Sequence, residues 1–135
     1  MQEPQIPPCM WILSQSRRLA SPGTHVVVLD EHAVVSDYAA FLNAPGTRFL
    51  TNRWDVLEQF RAATAYIEFS DFDFSRYEPD SVNALFFRIA KEKAVVHHVI
   101  NSAARILAEH GTLHICGLRC EGIKTYIEKA TPLFL

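Results

Sequence analysis

Short apolar runs alternate with amphipathic stretches along most of the chain. The runs are rich in β-branched or aromatic residues and end at turn-forming residues, so they predict buried strands. The predicted strands cover residues 25–30, 47–51, 65–69, 82–89 and 112–116. Between them, apolar positions recur at spacings of three and four, the period of a helix with one buried face. Because parallel strands need crossover connections, strands that alternate with helices indicate a parallel sheet.

The helices are predicted between and around these strands. They are a short lead-in helix after Pro7-Pro8, a helix over residues 37–42 capped by Ser36, a helix that begins at Trp54, a long helix from Lys91 to His110, and a helix over residues 123–130. Trp54, Leu57 and Phe60 are spaced as one buried helical face. Gly111 is the expected stop of the long helix, because glycine is favoured just beyond a helix end.

The size and composition are those of one globular domain. The chain has 135 residues, of which 49% are hydrophobic and 21% charged, which is enough for a sizeable core. We expect residues 1–22 to form a helical lead-in. Residues 23–135 are expected to form a single Rossmann-like α/β core, with a mostly parallel sheet and helices on both of its faces.

Charge, hydropathy and cysteine content narrow the class of protein. The formal net charge of −2 lacks the strong basic excess of a free-standing nucleic-acid binder, although it is compatible with a local basic patch. The sequence contains no 18-residue apolar run, and its N-terminus lacks the pattern of a signal peptide. Three cysteines without a secretion signal indicate reduced thiols, so we expect a cytoplasmic protein.

Carboxylates stand at the ends of two predicted strands. Asp30 ends the first strand, and Asp71 and Asp73 follow the third. Carboxylates in such positions can hold Mg²⁺ or serve phosphoryl transfer, but Asp is also abundant in turns and helix caps. No Ser/Thr and Lys set nearby completes a phosphotransfer motif. Both interpretations stay open.

The histidines and the remaining cysteines do not form a metal-binding pattern. His97 and His98 are adjacent in a predicted helix and point about 100° apart, so we expect one to be partly buried and the other exposed. Cys116 and Cys120 have no second cysteine pair, so no zinc site is expected. The sequence has no G-x-S-x-G elbow for a catalytic serine.

A glycine-bracketed loop, residues 117–122, lies between the last predicted strand and the last helix. Ligands of open α/β sheets bind at the carboxyl ends of the strands, and a helix N-terminus attracts anions. The loop has only two glycines, and the Lys-Ser/Thr of a phosphate loop does not follow them. A cofactor site, a structural loop and a contact loop that presents Arg119 and Lys124 remain the alternatives.

The cluster Lys91-Glu92-Lys93 opens the long helix. A charged helix start is usually a solvated surface, but lysines at a helix N-terminus oppose the helix dipole by roughly a few tenths of a kcal/mol. This mismatch favours an anion or a partner beside the lysines. Arg88 is near the same strand end and is a candidate for the same cluster.

Several of these segments together resemble the N-terminal domain of ribosomal RNA guanine-N2 methyltransferases of the "methyltransferase small domain" group. The resemblance is good over residues 50–133 and weak over residues 1–49. Its motifs are the SDFDF segment at residues 70–74, the strand end and helix start with Arg88, Lys91, Glu92 and Lys93, and the helix start with Gly122, Ile123, Lys124 and Tyr126. The order and spacing of these motifs carry the match.

The resemblance implies a specific division of labour. In this family a C-terminal domain binds S-adenosylmethionine and carries an Asn-Pro-Pro-Phe/Tyr motif, and a degenerate N-terminal domain supports RNA binding. This chain has no Asn-Pro-Pro, and Ile-Ala-Lys-Glu at residues 89–92 stands where that motif would fall. The chain is thus expected to be the non-catalytic half, without catalytic, cofactor-binding or metal-binding residues of its own and inactive alone.

This expectation names contacts and partners. Candidate contacts with rRNA or with the C-terminal methyltransferase domain are Arg88, Lys91, Lys93, Arg119 and Lys124. S-adenosylmethionine would be the cofactor of the implied catalytic domain. The alternatives are a small metal- or phosphate-dependent enzyme that uses Asp30, Asp71 and Asp73, and a self-associating module, with a homodimer formed by the isolated chain.

Overall fold

The structure, a computed structural model, describes residues 8–17, 22–42 and 44–134. Residues 1–7 and 18–21 of the predicted lead-in lie outside the described residues. The elements are α1 (Pro8–Ser16), β1 (His25–Leu29), α2 (Ala39–Leu42), β2 (Thr47–Thr51), α3 (Trp54–Arg61), β3 (Ile67–Phe69), β4 (Val82–Arg88), α4 (Lys93–Ile106), β5 (Leu107–Cys116) and α5 (Ile123–Ala130). Short 3-10 turns occupy Val35–Tyr38, Phe74–Arg76, Arg119–Glu121 and Thr131–Phe134.

The five strands form one parallel sheet in the order β3-β2-β1-β4-β5. Strand β1 is central, because the chain first adds β2 and β3 on one side and then returns to add β4 and β5 on the other. This reversal of strand order is the switch point of a doubly wound fold. The predicted fold class, Rossmann-like α/β with helices on both faces, is confirmed.

Both faces of the sheet are covered, which explains the unbroken apolar strands. Successive side chains of a strand point to opposite faces, and all five residues of β1 are buried. Val26 and Val28 pack in the cluster that includes residues of α4 and α5, whereas Val27 and Leu29 pack with residues of α1, α2 and α3.

The long helix ends earlier than its apolar pattern predicted. Helix α4 stops at Ile106, and Leu107 already has extended backbone angles (φ −71°, ψ 136°). Gly111 lies inside β5, where the pairing with β4 is irregular. A β-carbon at Gly111 would lie 2.9 Å from the carbonyl oxygen of Val82. The glycine therefore permits close contact between strands and does not end the helix, so that prediction was wrong.

Two local predictions about helix starts were also wrong. The 3-10 turn before α2 begins at Val35 with Val34 as its N-cap, so Ser36 does not cap it. Trp54, expected on the buried face of α3, is 59% exposed, while Leu57 is buried as predicted. Trp54 stands at the first position of α3, where it packs edge-on against Phe69 with ring centroids 5.5 Å apart.

No helix in the described ranges is long and apolar enough to cross a membrane.

Candidate functional site at the carboxyl edge of the sheet

The carboxyl ends of β1 and β4 lie side by side, because these strands are parallel neighbours with His25 opposite Ala84 and Val28 opposite Phe87. Asp30 directly follows β1, and Arg88 is the last residue of β4. In open α/β sheets this edge, at the switch point, is where ligands bind.

The guanidinium of Arg88 fills the space between the two strand ends and the loop that follows β5. Its Nη1 lies 3.4 Å from Oδ2 of Asp30 and donates to the carbonyl oxygen of Ile89 at 3.2 Å. Its Nη2 donates to both carboxylate oxygens of Glu121 at 3.2 Å. The Arg88 side chain is only 15% exposed. The cation proposed from the sequence as a contact is therefore engaged within the domain.

Asp30 is the most deeply placed charge of this group, with a side chain that is 0% exposed. Burial raises its pKa to about 6, against the opposing effect of the Arg88 cation. Burial and the charge of Asp30 also hold the pKa of Tyr38 well above its usual range. Near neutral pH the site thus contains a buried, charged carboxylate, and its charge lowers the stability of the folded state.

The loop at residues 117–122 is anchored by its own backbone and by Glu121. Oε1 of Glu121 accepts the backbone N–H of Leu118 at 2.6 Å in addition to the Arg88 bonds. A β-carbon at Gly117 would lie 2.5 Å from the Ile89 side chain. Gly122 has φ 87°, the left-handed conformation that glycine adopts without strain. Both glycines thus have structural reasons to be present.

One cavity at this edge is small. A cavity of about 120 Å³ lies beside the strand ends and is lined by Glu31, Asn52, Arg53, Phe72, Ala90, Glu92 and Val95. Sites for small molecules and cofactors usually enclose roughly 300–1,000 Å³. Phe72, which closes part of the cavity, is buried with φ 53°, a left-handed backbone that is uncommon for an aromatic residue.

Four cations predicted as contacts are exposed at the same edge. Lys91, Lys93, Arg119 and Lys124 all follow the carboxyl ends of β4 and β5, which are adjacent strands. The backbone N–H of Lys91 donates to Oε1 of Glu31 at 2.9 Å, which fixes the chain ahead of α4. Of the five candidate contacts, Arg88 alone is withdrawn into the domain.

The carboxylates considered for a metal have separate structural surroundings. Asp30 pairs with Arg88, and Oδ1 of Asp73 accepts the backbone N–H of Ser75 at 3.0 Å, which caps a 3-10 turn and lowers the pKa of Asp73. Asp71 is exposed. Among the described residues, no three His, Cys, Asp or Glu side chains are grouped as metal ligands. Asp30, Asp71 and Asp73 therefore do not form one cluster of ligands in the part of the chain that the structure describes.

The adjacent histidines of α4 divide as their spacing predicted. His97 is partly buried and meets Tyr126 edge-on with ring centroids 5.4 Å apart. His98 is exposed, and its Nε2 lies 2.7 Å from the carbonyl oxygen of Phe72.

Sequence reasoning missed Glu121, the second partner of Arg88. It treated the loop as a source of cations and overlooked its carboxylate. The usable signal was the position of opposite charges after neighbouring strands: Asp30 after β1, Arg88 at the end of β4 and Glu121 after β5.

Strand order and helix placement define the class of fold: a Rossmann-like, doubly wound α/β domain. A solved structure with this arrangement is the T. thermophilus 16S rRNA N2 G1207 methyltransferase (RsmC) in complex with AdoMet and guanosine. The two chains share 16% identity and a TM-score of 0.70, over 92% of this chain and 33% of that one. This chain therefore spans about a third of the length of that protein. No protein-family model matches the sequence, and no curated protein matches it by sequence.

Proposed function

We propose that this chain is a non-catalytic domain of an S-adenosylmethionine-dependent rRNA guanine-N2 methyltransferase, acting in the cytoplasm. In this role it corresponds to the N-terminal half of such an enzyme. It helps to hold the RNA and packs against a catalytic domain that binds the cofactor. The fold likeness to an rRNA methyltransferase supports the assignment, together with the motif resemblance of residues 50–133.

The observation that carries the proposal is the position of Arg88. Its side chain, held by Asp30 and Glu121, occupies the switch-point edge where a doubly wound fold would receive its ligand. A cavity of about 120 Å³ lies beside this edge, lined by Glu31, Phe72 and Ala90 among others. We infer that this edge has exchanged a ligand-binding role for a structural one. Arg88 then acts as a positioning residue that ties the loop after β5 to the sheet.

The RNA-binding role falls to the exposed cations of the same edge. Lys91, Lys93, Arg119 and Lys124 project from the segments that follow β4 and β5, and Arg88 holds one of those segments in place. Lysine and arginine on a surface neutralise phosphates, which orients an RNA without reading its sequence. The modest net charge of −2 fits a domain in which the cations are concentrated locally.

Filter binding of rRNA fragments tests this role. We expect the wild-type chain to retain small-subunit rRNA fragments, with affinity that falls as salt rises. Reversal of all four cations to Glu should weaken retention strongly and reduce the slope of log K against log salt by about 3, since each single-strand phosphate contact contributes about 0.7.

The matched control reverses exposed cations elsewhere. Lys91→Glu/Lys93→Glu and Arg61→Glu/Lys129→Glu change the net charge equally, but Arg61 ends α3 and Lys129 lies near the end of α5. Only the first pair should weaken binding strongly. Equal losses in both pairs would point to a general charge effect, and unchanged binding by the quadruple variant would remove the RNA role.

A further inference from the structure

Another cavity lies at the amino edge of the sheet, where the neighbouring strands β2 and β3 begin. Its volume is about 500 Å³, within the roughly 300–1,000 Å³ that sites for small molecules enclose. It is lined by Leu42 and by the loops that lead into the two strands, residues 44–48 and 63–66. Among these described residues one side chain is charged, that of Arg48, so the cavity presents a cation.

The loop before β2 is a fixed wall of this cavity. Pro45 and Gly46 are the central residues of a turn, in which the N–H of Thr47 donates to the carbonyl oxygen of Ala44 at 3.3 Å. Gly46 has φ 75°, which such a turn requires at this position. Its carbonyl oxygen accepts the N–H of His25 at 3.0 Å, which ties the turn to β1. The wall is therefore formed without a ligand.

An arginine and a tyrosine stand side by side at the cavity. The guanidinium carbon of Arg48 lies 6.0 Å from the centroid of the Tyr66 ring. The hydroxyl of Thr64 accepts the backbone N–H of Tyr66 at 3.1 Å, which fixes the end of the second loop. Tyr66 is 61% exposed, so much of its ring is open to a planar group.

Arg48 differs from the other exposed arginines around β2 and β3. Three of those arginines pair with carboxylates at 2.7 to 3.3 Å. The pairs are Arg53–Asp55, Arg61–Glu58 and Arg76–Glu68. Within the described ranges Arg48 has no carboxylate partner, and it pairs with the Tyr66 ring instead. A guanidinium that is free of carboxylates binds phosphate well, because its planar fork matches two phosphate oxygens.

Thr47 contributes a hydroxyl that lacks a partner. The residue lines the cavity and is 4% exposed, and its Oγ1 has no hydrogen-bond partner among the described residues. A buried hydroxyl without a partner lowers the stability of a fold. A polar ligand atom at this wall would supply the missing hydrogen bond.

We propose that this cavity binds one unpaired nucleotide, with its base stacked on Tyr66 and its phosphate held by Arg48. Base–aromatic stacking and an arginine on the phosphate are the usual contacts of single-stranded nucleic acid. A base inside a duplex is covered on both faces by its neighbours, so only an unpaired base can stack on the ring. An RNA strand is the source of the nucleotide, a step that rests on the proposed RNA role. A free nucleoside monophosphate has the same chemistry.

Titrations of the full chain with uridine monophosphate and with a six-nucleotide oligouridylate test the site and the source. We expect saturable NMR shift changes at Thr47, Arg48 and Tyr66 with both probes, and weaker binding of an RNA duplex of the same length. Binding of uridine monophosphate without binding of the oligouridylate would assign the site to a free nucleotide and overturn the RNA source. No change at these residues with either probe at millimolar concentration would overturn the site.

Exchange of the two gripping side chains tests their roles. Tyr66→Ala and Arg48→Gln should each raise the Kd for the oligouridylate about tenfold. Both side chains are exposed, so circular dichroism should show an unchanged fold. The matched controls are Trp54→Ala and Arg61→Gln. Arg61 lies 5.8 Å from the centroid of the Trp54 ring, and Trp54 is 59% exposed, but neither residue lines the cavity. Equal losses in both pairs would show that any exposed aromatic–arginine pair binds RNA, and would overturn the assignment to the cavity.

Uridine monophosphate also separates this site from the proposed function. The variant with all four cations of the carboxyl edge reversed should bind it as the wild type does, because those cations lie at the other edge of the sheet. Thr47→Val should weaken its binding without lowering the free energy of unfolding, since valine removes only a hydroxyl that had no partner. Loss of uridine monophosphate binding in the four-cation variant would place the nucleotide at the carboxyl edge and overturn the proposal.

Discussion

Replacement of Asp30 by asparagine should make the protein more stable at neutral pH. Asp30 is fully buried and lies 3.4 Å from Arg88, which also has Glu121 as a partner. Asparagine keeps the shape of the side chain and removes the buried charge. Arg88 keeps its bidentate bond to Glu121 in this variant, so no cation is left without a carboxylate.

The magnitude follows from the pKa of Asp30, which burial raises from 3.8 to about 6. Between these values the folded state holds a proton that the unfolded state has lost, so stability falls as pH rises through this window. The pKa difference of about 2.2 corresponds to about 3 kcal/mol at 1.36 kcal/mol per pKa unit. The asparagine variant has no carboxyl group at position 30, so its stability does not fall for this reason as pH rises.

Urea unfolding followed by circular dichroism at pH 4 and pH 7 measures the difference. We expect similar stability of wild type and Asp30→Asn at pH 4, and an advantage of about 3 kcal/mol for the variant at pH 7. Asp71→Asn, at an exposed position, is the control and should show no such gain. A variant less stable than wild type at pH 7 would show that the ion pair outweighs the desolvation of Asp30, and would refute the reasoning.

Two further predictions concern the same molecule. Arg88→Leu should destabilise the fold by about 3 kcal/mol at pH 7, because it leaves the Asp30 carboxylate buried without its cation. The loss should be smaller at pH 4, where Asp30 is protonated. Urea unfolding at the two pH values measures both losses. Burial and, secondarily, the charge of His25 lower the pKa of His114 below 6.5. Below pH 6.5 the unfolded state therefore binds a proton at His114 more readily than the folded state, and stability falls as pH falls. His114→Phe should therefore lose less stability between pH 7 and pH 5, measured with dilute protein, and an unchanged pH slope would contradict it.

The sheet could be predicted because its signal is local. Buried parallel strands are continuous apolar runs, and β2 was predicted with the bounds Thr47–Thr51 that the structure shows. Helix α5 likewise has its predicted bounds, Ile123–Ala130, between Gly122 and Pro132. Helix α4 was overextended, because apolar periodicity continues through Leu107 while the backbone has already turned into β5.

The Arg88 network could not be predicted in the same way. Its partners are 58 and 33 positions away along the chain, and only the strand order brings them together. The exposed cations at the strand ends could be predicted more easily. A loop that follows a parallel strand lies at the carboxyl edge of the sheet, whichever strands are the neighbours of that strand. Arg88 is the one candidate cation that is not on that surface. It is held inside the domain by Glu121, a contact that the sequence alone does not indicate.

Calorimetric titration with S-adenosylmethionine tests the central claim most directly, that this edge is structural and holds no cofactor. We predict no saturable heat when S-adenosylmethionine is added to millimolar concentration, since Arg88 and its two carboxylates occupy the edge. Stoichiometric, saturable binding at micromolar concentrations would contradict the account.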